Sequence, residues 1–209
     1  MYNKRMKRRK NKDQTRRKLH TLGNLLILTA LAILLMTFAP VSREETVYQV
    51  RKTFNVAYTQ KDLTPPNTDF SIVIPKIGAV APVFANIDSQ DPKSYLAVLR
   101  KGVAHAKGTS LPGGPGNTYI FAHSTDTFYN VGRYNAVFYL IGKLEKGDEI
   151  DIYYKGNKII YEVASKEVVA ADAVKYLGQF GEGNTLTLQT CYPPGTTRKR
   201  LVVIANQRS

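Results

Sequence analysis

Residues 22–38 form an uncharged, largely apolar run that divides this 209-residue chain into parts that must fold in different solvents. As a helix rising ~1.5 Å per residue, the run reaches about 25 Å, near the short end of what crosses a bilayer. Residues 1–20 hold ten Lys/Arg against one acid, Asp13, so +9 of the formal +14 lies ahead of the run and +5 after it. Bases before the run and Glu44 and Glu45 after it predict a cytoplasmic N-terminus, with the rest of the chain outside the membrane. The competing reading is a cleaved signal peptide. Its apolar core would span about 7–15 residues and end at a small-residue cleavage site. This run is longer and no clear site follows, so the expectation is an uncleaved single-pass anchor. The basic block alone would suit non-specific phosphate binding. Against an apolar span, topology and anionic headgroups explain it more cheaply, and no nucleic-acid partner is expected.

The domains expected are a cytoplasmic basic segment (1–21), a transmembrane signal-anchor (22–38), a stalk or juxtamembrane helix with linker (39–69), and a folded domain (70–209). Val47, Val50, Phe54 and Ala57 recur at helical spacing after Ser42, which predicts a helix starting there; it needs no chemistry beyond packing. Pro65-Pro66-Asn67 marks the linker. Hydrophobic residues at 43% and charged residues at 22% exclude disorder as the default, and residues 70–209 suffice for one core without staples.

From Phe70 onward, short strands alternate with Gly, Pro and Asn signals. Strands are expected over 70–74, 80–84, 118–123, 149–154, 159–164, 185–191 and 201–205, with Lys155-Gly156-Asn157-Lys158 as a hairpin turn. A short helix is expected over 94–101 and another over 172–180, and 107–117 is too rich in Gly and Pro for a regular element. Seven or eight short strands with few helices predict a mainly β, closed or nearly closed barrel.

Three residue types stand out by position. Cys191, the single cysteine, ends the run Thr185-Leu186-Thr187-Leu188-Gln189-Thr190-Cys191; with no second cysteine it is a free thiol. His123 ends another strand, and Arg200 opens the last one after a Pro193-Pro194-Gly195 turn. A thiolate is a nucleophile, an imidazole can take and return its proton, and a fixed cation stabilises charge developing on a carbonyl oxygen. Each has a bland reading: a small buried hydrophobe, a satisfied histidine, a solvated charge. Only the combination is informative. Strand alternation turns Thr187, Gln189 and Cys191 away from the face of Leu186, Leu188 and Thr190. Arg198 competes with Arg200 for the cationic role but lies in the turn, and His105 reads as packing or loop support.

Thr187-Leu188-Gln189-Thr190-Cys191, followed after a short loop by Arg200, resembles the TLxTC signature of sortases. Ser71-Ile72-Val73-Ile74-Pro75-Lys76-Ile77-Gly78 is similar to their first core strand. The stretches Gly102-Val103-Ala104-His105, Gly108-Thr109, Leu111-Pro112-Gly113, Pro115-Gly116-Asn117 and Phe121-Ala122-His123-Ser124 resemble their approach to the catalytic His. Leu144-Glu145-Lys146-Gly147-Asp148 resembles the turn before their middle hairpin. The resemblance covers about residues 70–206 and implies an eight-stranded sortase barrel behind an N-terminal transmembrane helix. It implies a cysteine transpeptidase in which Cys191 attacks an LPxTG-like sorting signal to form a thioester, His123 protonates the departing amine, and Arg200 holds the carbonyl or its oxyanion. Thr190 would hydrogen-bond the substrate, and an amine on a peptidoglycan precursor or a pilin lysine would resolve the thioester. No cofactor is implied. Residues 106–117 hold no Asp or Glu, so no calcium or other metal site is expected there. Ala122-His123 replaces the common Gly-His. The pilin-type lid motif and C-terminal membrane segment do not appear, and Cys191-Tyr192-Pro193 resembles the class D or E groups. The alternatives are a hydrolytic processing cysteine protease and a non-catalytic, membrane-tethered peptide-binding barrel.

Overall fold

The computed structural model describes residues 2–54, 56–59, 61–124, 137–178 and 183–208. The last residues of the helix expected over 172–180 and part of the expected 181–184 loop lie outside them. Helix α1 (Tyr2–Thr53) is long and apolar enough to cross a membrane over Arg16–Leu34. Leu25, Leu26, Ile27 and Leu28 are all more than half exposed, a surface suited to lipid, and among the described residues this is the one helix that supports a membrane anchor. Two compact units are present, Met1–Ser42 and Arg43–Ser209.

The second unit is a barrel of eight strands: β1 (Phe70–Ile74), β2 (Ala79–Ile87), β3 (Val103–Ala106), β4 (Gly116–Phe121), β5 (Glu149–Tyr154), β6 (Asn157–Ala170), β7 (Asn184–Tyr192) and β8 (Lys199–Gln207). It closes in the order β1-β2-β3-β4-β7-β8-β6-β5, with β2/β3 and β4/β7 parallel and the other pairs antiparallel. Closure leaves no unpaired edge. Ile72, Ile74, Ile120, Ile150, Ile152, Leu186, Leu188 and Val203 fill the interior with no measurable exposure. The β5–β6 hairpin turns on Lys155 and Gly156, both at positive φ (49° and 81°), with Tyr154 and Asn157 paired across it. Two-residue turns of that hand match the twist of the flanking strands.

Several expectations change in detail. The helix expected to begin at Ser42 is instead the last part of α1 and ends at Thr53. The residues at helical spacing stay exposed, with Val47, Val50 and Phe54 at 36%, 49% and 72%, while Tyr48 is 7% exposed and joins the core. Spacing identifies residues that share a face; the barrel chose a different face. The 43–69 segment packs on the barrel rather than standing off it. Lys143 donates to Glu45 (2.8 Å), and the Tyr58 ring sits so close to Gly78 that a Cβ there would lie 2.2 Å from it. Short β3 had no expected counterpart, and β6 runs six residues past its expected end. Helix α2 (Pro92–Leu99) starts two residues early because Asp91 caps it, its carboxylate accepting from the Lys93 N–H at 3.0 Å. β4 stops at Phe121, so His123 lies two residues beyond the strand it was expected to end.

Candidate active site

β7 carries the thiol, and its register with both neighbours sets the geometry. Cys191 pairs directly with Arg200 across the antiparallel β7/β8 ladder. Directly opposed residues share a face, with Cα atoms about 4.5–5.5 Å apart. On the other side, β4 runs parallel to β7 with Phe121 opposite Gln189. The alignment continues past the strand end: the Ala122 N–H donates to the Gln189 carbonyl at 3.1 Å, and Thr190 Oγ1 donates to the Ala122 carbonyl at 3.0 Å. His123 is the next residue, and it lines the same cleft as Cys191.

His123, Cys191 and Arg200 line one cleft of about 360 Å³, together with Tyr119, Phe121 and Gln189. Cys191 and His123 are half-buried, which lets a strand-end thiol and imidazole meet a ligand. The Arg200 guanidinium donates from Nη1 to the carbonyls of Thr197 (2.9 Å) and Lys199 (3.1 Å), which ties it to its own loop. Nη1 holds only part of a five-donor fork. Arg198 is exposed in the loop before β8. On the far side of Cys191, a second cavity of about 300 Å³ is lined by Glu45, Ser124, Tyr139, Lys143 and Thr190 among others. The thiol is thus a wall shared by two cavities.

Thr190 is 2% exposed, and its single hydroxyl proton is committed to Ala122. What it offers a ligand in the smaller cavity is an acceptor lone pair. His105 is fully buried: Nδ1 accepts from the Asn86 N–H (3.2 Å), while Nε2 lies 3.0 Å from both the Ser110 carbonyl and Thr109 Oγ1. Burial pushes its pKa down, and the Ser110 carbonyl opposes that only in part. It braces the 106–117 loop and does not line the Cys191 cleft. Among the described residues, no group of three or more His, Cys, Asp or Glu is placed to hold a metal ion.

The sequence reading put Gln189 on the face of Cys191 but gave it no role, and it singled out nothing at Tyr119. Tyr119 is 3% exposed, and its phenol donates to Gln189 Oε1 in a short hydrogen bond. Burial raises the phenol pKa far above its usual range, against the pull of the nearby Arg200 charge. The available signal was alternation: Gln189, two residues before Cys191, had to share its face.

The fold and this cleft define a membrane-anchored, closed β-barrel with a half-buried thiol between an imidazole and a guanidinium. The Sortase domain profile matches residues 72–208, and the chain belongs to the sortase family. It is 29% identical over 133 residues to Sortase D of Bacillus subtilis (strain 168), covering 62% of this chain and 59% of that protein. It is 30% identical over 152 residues to Sortase SrtE1 of Streptomyces coelicolor, covering 66% of this chain and 40% of that protein. The chain thus spans about half the length of these curated relatives. Among solved structures, Sortase C1 of GBS Pilus Island 1 superposes with a TM-score of 0.57 at 28% identity, covering 67% of this chain and 64% of that one. Sortase A from Corynebacterium diphtheriae gives 0.56 at 29% identity, covering 68% and 60%.

Proposed function

We propose that the chain is a cysteine transpeptidase that cleaves an LPxTG-like sorting signal and joins the acyl fragment to an amine. The observation that carries this is the register: Cys191 lies directly opposite Arg200, with His123 on the other side and all three on one cleft. The Cys191 thiolate attacks the carbonyl carbon of the signal's Thr–Gly bond while Arg200 stabilises the oxyanion. The C–N bond then breaks, imidazolium His123 gives its proton to the departing Gly amine, and a thioester remains. A primary amine on a peptidoglycan precursor or a pilin lysine attacks that carbon next. The C–S bond breaks and His123 takes the amine's proton, restoring the starting pair. Thr190 would contribute its acceptor lone pair from the smaller cavity. The Cys191-Tyr192-Pro193 stretch, which resembles the class D or E groups, supports a class D/E-like enzyme over a pilin-type one. The basic residues ahead of the anchor support a cytoplasmic N-terminus with the barrel outside.

The test uses the full chain in detergent micelles with an LPxTG-type peptide, with and without an added primary amine, followed by mass spectrometry. The expected result is a thioester on Cys191, absent in Cys191→Ala, and amine-containing product in step with its consumption. Adduct with hydrolysed product alone makes the protein a processing protease. No adduct under any condition makes it a non-catalytic peptide-binding barrel.

A further inference from the structure

The outer face of β4 and β7 carries an ordered row of polar side chains leading to the thiol. Asn117 Nδ2 donates to the Tyr176 carbonyl (3.0 Å), and Asn117 Oδ1 accepts from Thr185 (3.1 Å) and Thr187 (2.9 Å). Tyr119, one step further along the same face of β4, donates to Gln189 Oε1. These groups satisfy one another inside the fold until the row reaches Gln189. There the carboxamide oxygen is taken by Tyr119, and the amide nitrogen has no hydrogen-bond partner among the described residues. With the Tyr119 hydroxyl donating to Oε1, the –NH₂ is turned away from it. Gln189 is half-buried and lines the cleft that holds His123, Cys191 and Arg200.

Spacing states what those two donors can reach. Residues i and i+2 of a strand lie roughly 6.5–7 Å apart on one face, which is also two residues of an extended peptide. A peptide lying along β7 with its reacting carbonyl at Cys191 presents the carbonyl two residues away at Gln189. The cleft extends from the thiol over Gln189, Tyr119 and Phe121 toward α2, where Tyr95 and Leu99 form part of its wall. That enclosed side suits the half of the substrate that stays bound as the thioester, while the departing and incoming amines exchange on the other.

We propose that Gln189 is a substrate-binding residue whose amide N–H groups donate to the backbone carbonyl two residues before the reacting carbonyl, and that Tyr119 is the positioning residue that aims them. Recognition of this kind reads the main chain, so it fixes the register of the peptide over Cys191 rather than the identity of a side chain. The inference rests on the acyl-transfer reading above.

The experiment is steady-state kinetics on the full chain in micelles with an LPxTG-type peptide, for wild type, Gln189→Leu, Tyr119→Phe and the double variant. Gln189→Leu keeps the bulk and removes the donors. About a fivefold to tenfold fall in kcat/KM is expected, the size of one neutral hydrogen bond, carried mainly by KM. Tyr119→Phe should lower kcat/KM about twofold to threefold in wild type and change nothing in the Gln189→Leu background, because aim without a donor is worth nothing. A peptide with an ester after the contacted carbonyl, which weakens that acceptor, should lose affinity for wild type but not for Gln189→Leu. Wild-type kcat/KM in Gln189→Leu, or a loss confined to kcat, overturns the assignment. If wild type forms no Cys191 adduct at all, the acyl-transfer reading falls and takes this inference with it.

Discussion

Replacing Thr190 with valine tests how the site is held together. Valine matches threonine in shape, so Thr190→Val opens no cavity; it deletes one buried donor, the hydroxyl 3.0 Å from the Ala122 carbonyl. A net hydrogen bond contributes about 0.5–1.5 kcal/mol, and leaving a buried carbonyl unpartnered costs about 1–3 kcal/mol. A combined loss of about 1.5 kcal/mol corresponds to a fall in Tm of about 3–6 °C for a domain of this size. Ala122 immediately precedes His123, so the same deletion loosens the imidazole's mount, and kcat should fall more than KM rises. The assays are thermal unfolding followed by near-UV circular dichroism and steady-state kinetics with an LPxTG-type peptide. Thr190→Ser, which keeps the donor, should recover most of both losses. An unchanged Tm with a raised KM would refute this reasoning and make the hydroxyl a direct contact to substrate.

Three further outcomes are expected. Arg200→Ala should slow single-turnover thioester formation about 100-fold or more, the usual cost of losing one oxyanion-stabilising group, while Arg198→Ala stays within about twofold; reversed sizes would exchange the two arginines. Stability should decline with acid through His105: its folded pKa is lowered by burial, so its contribution is complete above the ordinary value of 6.5 and is lost as the pH falls from there toward the lowered folded value. One such proton accounts for at most about 1.4 kcal/mol per pH unit, and the drop in urea midpoint between pH 7.5 and 5.5 should shrink in His105→Gln. Gly78→Ala should cost about 1–3 kcal/mol, since φ is +63° and the new methyl meets the Tyr58 ring. Truncating Tyr58 in that background should recover the clash but not the backbone strain, as chemical denaturation of the double variant would measure.

The residues that carry the proposed chemistry were legible because they sit where strand patterns end: a lone thiol closing one run and a cation opening the next need only a tight turn to meet. Leu186 and Leu188 facing inward followed from alternation alone. The meeting of His123 and Cys191 on one cleft did not, because it depends on a parallel pairing between strands some seventy residues apart, and local pattern carries no information on long-range register. β3 was invisible since Val103–Ala106 is buried at every position and so has no alternation to read. The buried face on the last turns of α1 was not legible because period is silent on which face the barrel covers. Alternation put Gln189 on the face of Cys191, but its hydrogen bond to Tyr119 was not legible because Tyr119 reaches it from another strand.

The parallel alignment of β4 and β7 has a consequence for assembly. It brings two strand ends to the same rim with no direct loop joining them, and β8 must then dock against β7 to supply the guanidinium. Contacts of such sequence separation must offset the entropy of closing long loops, which slows folding. A growing chain that has released β4 and even β7 holds the histidine and the cysteine but not the proposed site, which is complete only when the last strand closes the ring.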